Sequence, residues 1–171
     1  MSYQNRIVGS GTEAPEQLLA NPYNWRIHPE QQQRLLAGIL EDVGVLQEVI
    51  VNERTGNLVD GHLRVMLAIR HGIPEIPVSY VDLSPDEEKA ALLTLDTLTG
   101  MAKANAYLFE QLLDGVTTGQ PDLMAYLDKM AQELEIVPSD RDVEGSREIT
   151  EQDVGGLACQ CPGCGFEFNP K

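Results

Sequence analysis

"NLVDGHLRVMLAIRHGIPEIPVSYVDL", residues 57–83, decides how this chain folds. Leu58 and Val59 form a short apolar run that ends at Asp60-Gly61. Residues 62–71 then read as a helix, and Gly72 and Pro74 close it. The following Ile-Pro-Val-Ser-Tyr-Val, residues 76–81, reads as a strand. Toward the N-terminus, EVIVN (48–52) and NLVD (57–60) form a hairpin-like pair, with Gly56 supplying the turn. Before that, Leu35, Leu36, Ile39, Leu40 and Val43 recur at helical spacing behind Pro29, which suits a first helical turn, and Gly44 ends the helix.

The stretch NPYNWRIHP (21–29) has the Asn and Pro content of an ordered loop. Residues 1–15 hold Gly, Ser and Thr and are expected to be mobile. The fold class is therefore α+β: a domain over 16–83 that runs loop, helix, hairpin, helix, strand. Past residue 83 the character changes. Ser84-Pro85-Asp86-Glu87 is a capping box that opens a helix through Leu92, Leu95 and Leu98. Two further apolar stripes follow, Leu108 to Val116 and Leu123 to Leu134, on helices with acidic outer faces. Residues 84–137 thus read as a helical extension packed on the domain. Residues 138–157, charged and without periodicity, read as a linker, and 158–171 as a Cys-rich tail.

Charge narrows the function. The net charge is −15, made of −4 over residues 1–82 (6 Lys/Arg, 10 Asp/Glu) and −11 over residues 83–171 (6 Lys/Arg, 17 Asp/Glu). Non-specific DNA affinity comes from Lys and Arg releasing counterions, so this chain is expected to reach DNA only indirectly. No apolar run approaches the ~20 residues that span a bilayer, and the N-terminus lacks a signal pattern. A cytoplasmic protein with no membrane contact and reduced cysteines is expected.

Gly61-His62-Leu63-Arg64 sits where the strand gives way to the helix. A helix start offers unpaired N–H groups and a partial positive charge, and glycine ahead of it lets an anion approach the backbone. Arg64, one turn in, can grip phosphate oxygens bidentately, and His62 can donate to the same anion or shuttle a proton. Asp60 can serve as a strand-end residue, or as a metal ligand with Asp82 or Glu48 in phosphodiester cleavage. His71, before Gly72, suits a helix end and is given no chemistry.

The order of these words, from EQLLANPYNWRIHP through GVLQEVIVN and LVDGHLRVMLAIRHGIPEIPVSYVDLS to EEKAALLTLDTLTGMA, resembles the ParB/sulfiredoxin superfamily over roughly residues 14–136. Within it, the likeness is to ParB N-terminal-domain-like proteins of phages and of the neighbourhood of DNA methyltransferases. The resemblance implies a small mixed sheet with helices. It also implies a corner that holds nucleotide phosphates, of CTP in chromosome-partitioning members and of ATP in sulfiredoxins and related kinases, with Mg. On that basis Gly61, His62 and Arg64 become nucleotide-binding candidates, and Asn21, Arg26 and His28 would border the same pocket.

Two departures are visible. Partitioning members carry Gly-Glu-Arg-Arg where this chain has Gly61-His62-Leu63-Arg64, and their second nucleotide motif falls here on TLDTLTG around Asp96 and Thr97 without its amide or Arg. No Cys precedes His62, which argues against peroxiredoxin repair. The reading that follows is a nucleotide-binding regulator or accessory factor in phage or mobile-element DNA metabolism, with a partner protein such as a methyltransferase. A nuclease or an ATP-dependent kinase or transferase, using His62 or Asp60 as catalytic groups, is the enzymatic alternative. A non-catalytic adaptor for a DNA-modifying enzyme is the third.

The tail holds Cys159, Cys161 and Cys164, and Cys161-Pro-Gly-Cys164-Gly has the form of a zinc-ribbon knuckle, in which both thiolates bind one Zn²⁺. Three cysteines leave a fourth ligand to find. A histidine of the body could supply it, or two tails could pair across a homodimer. The knuckle could also be the remnant of a longer ribbon, or carry no metal.

Overall fold

The computed structural model describes residues 3–133 and the backbone pairs 159–160 and 167–168. They fall into two compact units, Met1–Pro138 and Ser139–Lys171. The first is a mixed α+β unit with a four-stranded sheet and five α-helices among its described residues.

The stretch at residues 57–83 does set the frame. Strands β2 (Val49–Asn52) and β3 (Leu58–Asp60) are antiparallel, with Val51 opposite Leu58 and Ile50 opposite Asp60. The turn between them closes on Asn52, whose carbonyl accepts from Gly56 N at 2.8 Å, and Gly56 has a φ of +70°. Helix α2 (His62–His71) lies between two left-handed glycines, Gly61 and Gly72, a conformation costly for other residues. Its C-terminal amides return to Ala68 and Ile69, so the helix stops where the glycine allows the chain to turn. Strand β4 (Ile76–Val81) then runs parallel to β2, and the sheet order, with β1 (Ile7–Glu13) at one edge, is β1-β4-β2-β3.

One face of this sheet meets α2. Val49, Val51, Leu58, Ile76 and Val78 pack there with Val65 and Ala68 of the helix, and all are buried. Burying this cluster stabilises the unit by about 25 cal/mol for each Å² of apolar surface removed from water.

The mobile N-terminus expected over residues 1–15 is corrected: β1 occupies Ile7–Glu13 and pairs antiparallel with β4 from Ile7–Val81 to Glu13–Ile76. The strand is bound by backbone pairing and by the Tyr80 ring lying over Gly9 and Gly11, rather than by apolar burial. Helix α1 (Glu30–Asp42) starts one residue later than its proline suggests, with Pro29 as its N-cap. Helix α3 (Pro85–Thr99) opens with the expected reciprocal Ser84–Glu87 capping box. Helices α4 (Ala106–Asp114) and α5 (Pro121–Glu133) follow, and α5 meets α1 through Arg34–Asp122 at 3.3 Å and Gln120–Glu41 at 3.2 Å. No described helix is long and apolar enough to cross a membrane.

In the second unit the backbone of β5 (Cys159–Gln160) pairs antiparallel with β6 (Glu167–Phe168). Cys161 and Cys164, and the linker expected over 138–157, lie outside the described residues, as does the Cys159 side chain.

Candidate functional site

Gly61 cannot be replaced by any side-chain-bearing residue without cost. Its φ is +94°, and a Cβ there would stand 2.5 Å from Val49 Cγ1 and 3.2 Å from Arg64 Nη2. The glycine therefore serves two ends: it turns the chain, and it lets β2 pass close beneath. On the Cβ side the notch is filled by Val49, so the face open to a ligand is the one presented by the start of α2. No side chain among the described residues caps that start. The amides of His62, Leu63 and Arg64 are thus left for another acceptor, at the positive end of the helix.

Arg64 folds back across this corner. Its Nη2 donates to Asp60 Oδ2 at 2.8 Å and to the Glu48 carbonyl at 3.2 Å, while Nη1 donates to Gln47 Oε1 at 3.2 Å. The side chain is only 18% exposed, so it is a held guanidinium and not a solvated one. Nε is buried without a hydrogen-bond partner. That leaves a donor unsatisfied beside a carboxylate that already competes for the rest of the group.

His62 is read from its neighbours. The backbone N–H of Asn21 donates to His62 Nε2 at 3.2 Å, which makes Nε2 the bare nitrogen and puts the ring proton on Nδ1. Burial pushes its pKa below the ordinary value; Asp60 opposes this, while His28 and Arg26 add to it. A neutral imidazole follows, one that can donate through Nδ1.

A cleft of about 230 Å³ gathers these groups, lined among others by Arg26, His28, Asp60, Gly61, His62 and Arg64. Arg26 pairs with Asp96 at 3.1 Å and donates to the Leu92 carbonyl of α3 at 3.1 Å. His28 donates through Nδ1–H to Gln32 Oε1 at 3.0 Å. Two arginines and two histidines therefore converge on one helix start, with Asp60 and Asp96 as internal counter-ions. Gln47, which bridges Arg64 and Asp60, is part of this wall and carries no local sequence signal. The volume lies below the roughly 300–1,000 Å³ of whole-ligand pockets, a size suited to the phosphate end of a larger molecule.

Asn21 is placed differently from expectation. It does not line the cleft; it is 4% exposed, and its Nδ2 donates to Glu88 Oε1 at 2.7 Å. Glu88 is itself 5% exposed and also accepts from Asn52 Nδ2 and from Thr55 Oγ1. Burial alone would raise its pKa, but donors from Asn52, Thr55, Asn21 and Asn57 outweigh it and hold the carboxyl below its ordinary value. The sequence offered one signal for this residue: Glu88 stands four positions before Leu92, in the row of the helix that turns inward.

The carboxylates considered for metal-dependent cleavage do not converge. Asp60 faces Arg64, Glu48 accepts from Ser79, and Asp82 pairs with Arg54 on the surface. No group of three His, Cys, Asp or Glu suited to a metal occurs among the described residues.

No protein-family model matches this chain, and no curated protein matches it. Among solved structures it is similar to the C-terminally truncated chromosome-partitioning protein ParB from Caulobacter crescentus, complexed with CTP-γ-S. The identity is 25% and the TM-score 0.46, over 61% of this chain and 63% of that one. Two structures of the pNOB8-like ParB N-domain are similar at 16% and 17% identity, with TM-scores of 0.44 and 0.43. They cover 77% and 79% of this chain and 53% and 63% of theirs, so the chain spans less than two thirds of each of the three.

Proposed function

We propose that the cleft at the start of α2 binds the phosphates of a nucleoside triphosphate, and that the chain is a ParB-like regulator or accessory factor in phage or mobile-element DNA metabolism. The observation that carries the binding is the gathering of donors along one cleft: helix-start amides that no described side chain caps, the His62 Nδ1 proton and the Arg64 guanidinium. An anion would supply the acceptors these groups lack. The resemblance of the Gly61-His62-Leu63-Arg64 word selects a nucleotide, ATP or CTP, among anions.

Mg would travel with the nucleotide, since this ion is commonly held by phosphates and one or two carboxylates, and Asp60 and Asp96 are the carboxylates of the cleft. The net charge of −15 disfavours direct contact with naked DNA, so a protein partner such as a methyltransferase would carry that contact, in the cytoplasm. On sequence alone we also assign zinc to Cys159, Cys161 and Cys164; metal content of the purified protein, lost on Cys161→Ser, checks it.

Calorimetry with ATP, CTP and GTP in the presence of Mg tests the main reading. Arg64→Ala should weaken binding at least about tenfold, about 1.4 kcal/mol. In the absence of Mg, Asp60→Asn should strengthen it several-fold, because the substitution removes a charge that competes for Arg64; with Mg the gain should shrink, because the same carboxylate would hold the ion. If Asp60 instead serves catalysis, Asp60→Asn abolishes turnover without tighter binding. Equal, negligible binding by wild type and both variants defeats the nucleotide reading.

A further inference from the structure

Glu88 belongs to neither the cleft nor the apolar core, yet it is a buried carboxylate joined to two other segments, the loop at Asn21 and the β2–β3 turn at Asn52 and Thr55. Each donor that reaches it is fixed in orientation by a second bond. Asn21 Oδ1 is taken by the Tyr23 amide at 3.0 Å, so Nδ2 must face Glu88. Asn52 Oδ1 is taken by the Leu83 amide at 3.1 Å, so its Nδ2 faces Glu88 as well. Thr55 Oγ1 adds a donor at 2.7 Å. Two amide groups that cannot flip require a partner that accepts at both oxygens. Only a carboxylate does this; a glutamine would set its own NH₂ against one of them.

The second half of the argument is Asn21. The same residue whose side chain Glu88 holds donates its backbone N–H to His62 Nε2. We propose that Glu88 is a positioning residue for the cleft: it locks Asn21, and Asn21 locks His62 as the Nδ1–H tautomer. Glu88 lies on α3, and α3 also supplies Leu92, whose carbonyl accepts from Arg26 and from Trp25. One helix thereby sets two walls of the cleft, one through a carboxylate and one through a carbonyl. The effect on ligands rests on the anion reading given above; the tautomer does not.

Long-range ¹H–¹⁵N spectra of protein labelled at histidine nitrogen read the His62 tautomer directly, with no ligand present. Wild type should show Nδ1–H alone. Glu88→Gln and Asn21→Ala should each release a substantial Nε2–H population, and Glu88→Gln should also weaken ATP or CTP binding about tenfold where wild type binds it. Emission from Trp25, the single tryptophan of the chain, reports whether α3 remains docked and should be unchanged in Asn21→Ala. An Nε2–H wild type overturns the proposal, as does a folded variant of either kind that keeps pure Nδ1–H. Should Glu88→Gln fail to fold, the wild-type tautomer and Asn21→Ala decide. A wild type that binds no nucleotide but shows the expected tautomer response overturns the nucleotide reading and leaves this one standing.

Discussion

The corner at Gly61 and the hub at Glu88 are both polar clusters held by the same short sheet, and they are built in opposite ways. At the hub every donor has its acceptor: Asn21, Asn52 and Thr55 all end on one carboxylate. At the corner donors outnumber acceptors, with an orphaned Arg64 Nε beside helix-start amides that nothing caps among the described residues. A complete network stabilises; an incomplete one stores affinity for whatever completes it. The contrast separates a residue cluster that fixes the fold from one suited to capture a ligand.

Substitution can break that contrast. The largest effect expected is from Glu88→Ala, which strands buried donors and should cost about 3–5 kcal/mol of stability, read as a lower urea midpoint at unchanged slope. A loss under about 1 kcal/mol would show that the hub is not the structural element described here. Gly61→Ala comes next. The left-handed backbone alone costs about 1–3 kcal/mol, and the overlap with Val49 adds to it. A double-mutant cycle with Val49→Ala should recover the overlap and leave the backbone part.

Arg64→Ala sharpens the comparison from the other side, because it should remove anion binding while lowering stability far less than Glu88→Ala. The smallest effect expected is with pH. The His62 pKa is lowered on folding, mainly by burial, so the unfolded chain takes the proton first. Its contribution to stability is complete above the ordinary 6.5 and is lost as pH falls through the lower folded value. Unfolding curves for wild type and His62→Gln should therefore converge as the pH drops below that value.

The strand-glycine-helix-strand path of β3, α2 and β4 was legible because local signals agreed there: apolar runs, helical spacing and two left-handed glycines. The cleft was legible in part, since Arg26, His28, Asp60, Gly61, His62 and Arg64 do meet. The loop of Asn21 borders the site, which makes it look like a ligand contact, whereas its amide is turned to the hub. Glu88 was hidden among Asp86 and Glu87, which resemble any acidic first turn of a helix. Only tertiary contact with Asn52 and Thr55, far away in the chain, distinguishes it. Strand β1 escaped for a related reason: exposed Gly, Ser and Thr give no alternation to read.

That strand has a consequence for biosynthesis. Its partner residues on β4 are made long after it, so β1 leaves the ribosome early and has to wait. Gly9, Ser10 and Gly11 give the waiting segment little hydrophobic surface and low strand propensity, which disfavours premature association with other nascent chains. Closing so long a loop places β1 among the last elements to join, and an N-terminal fusion that crowds Ile7 should slow that final step without disturbing the core already formed.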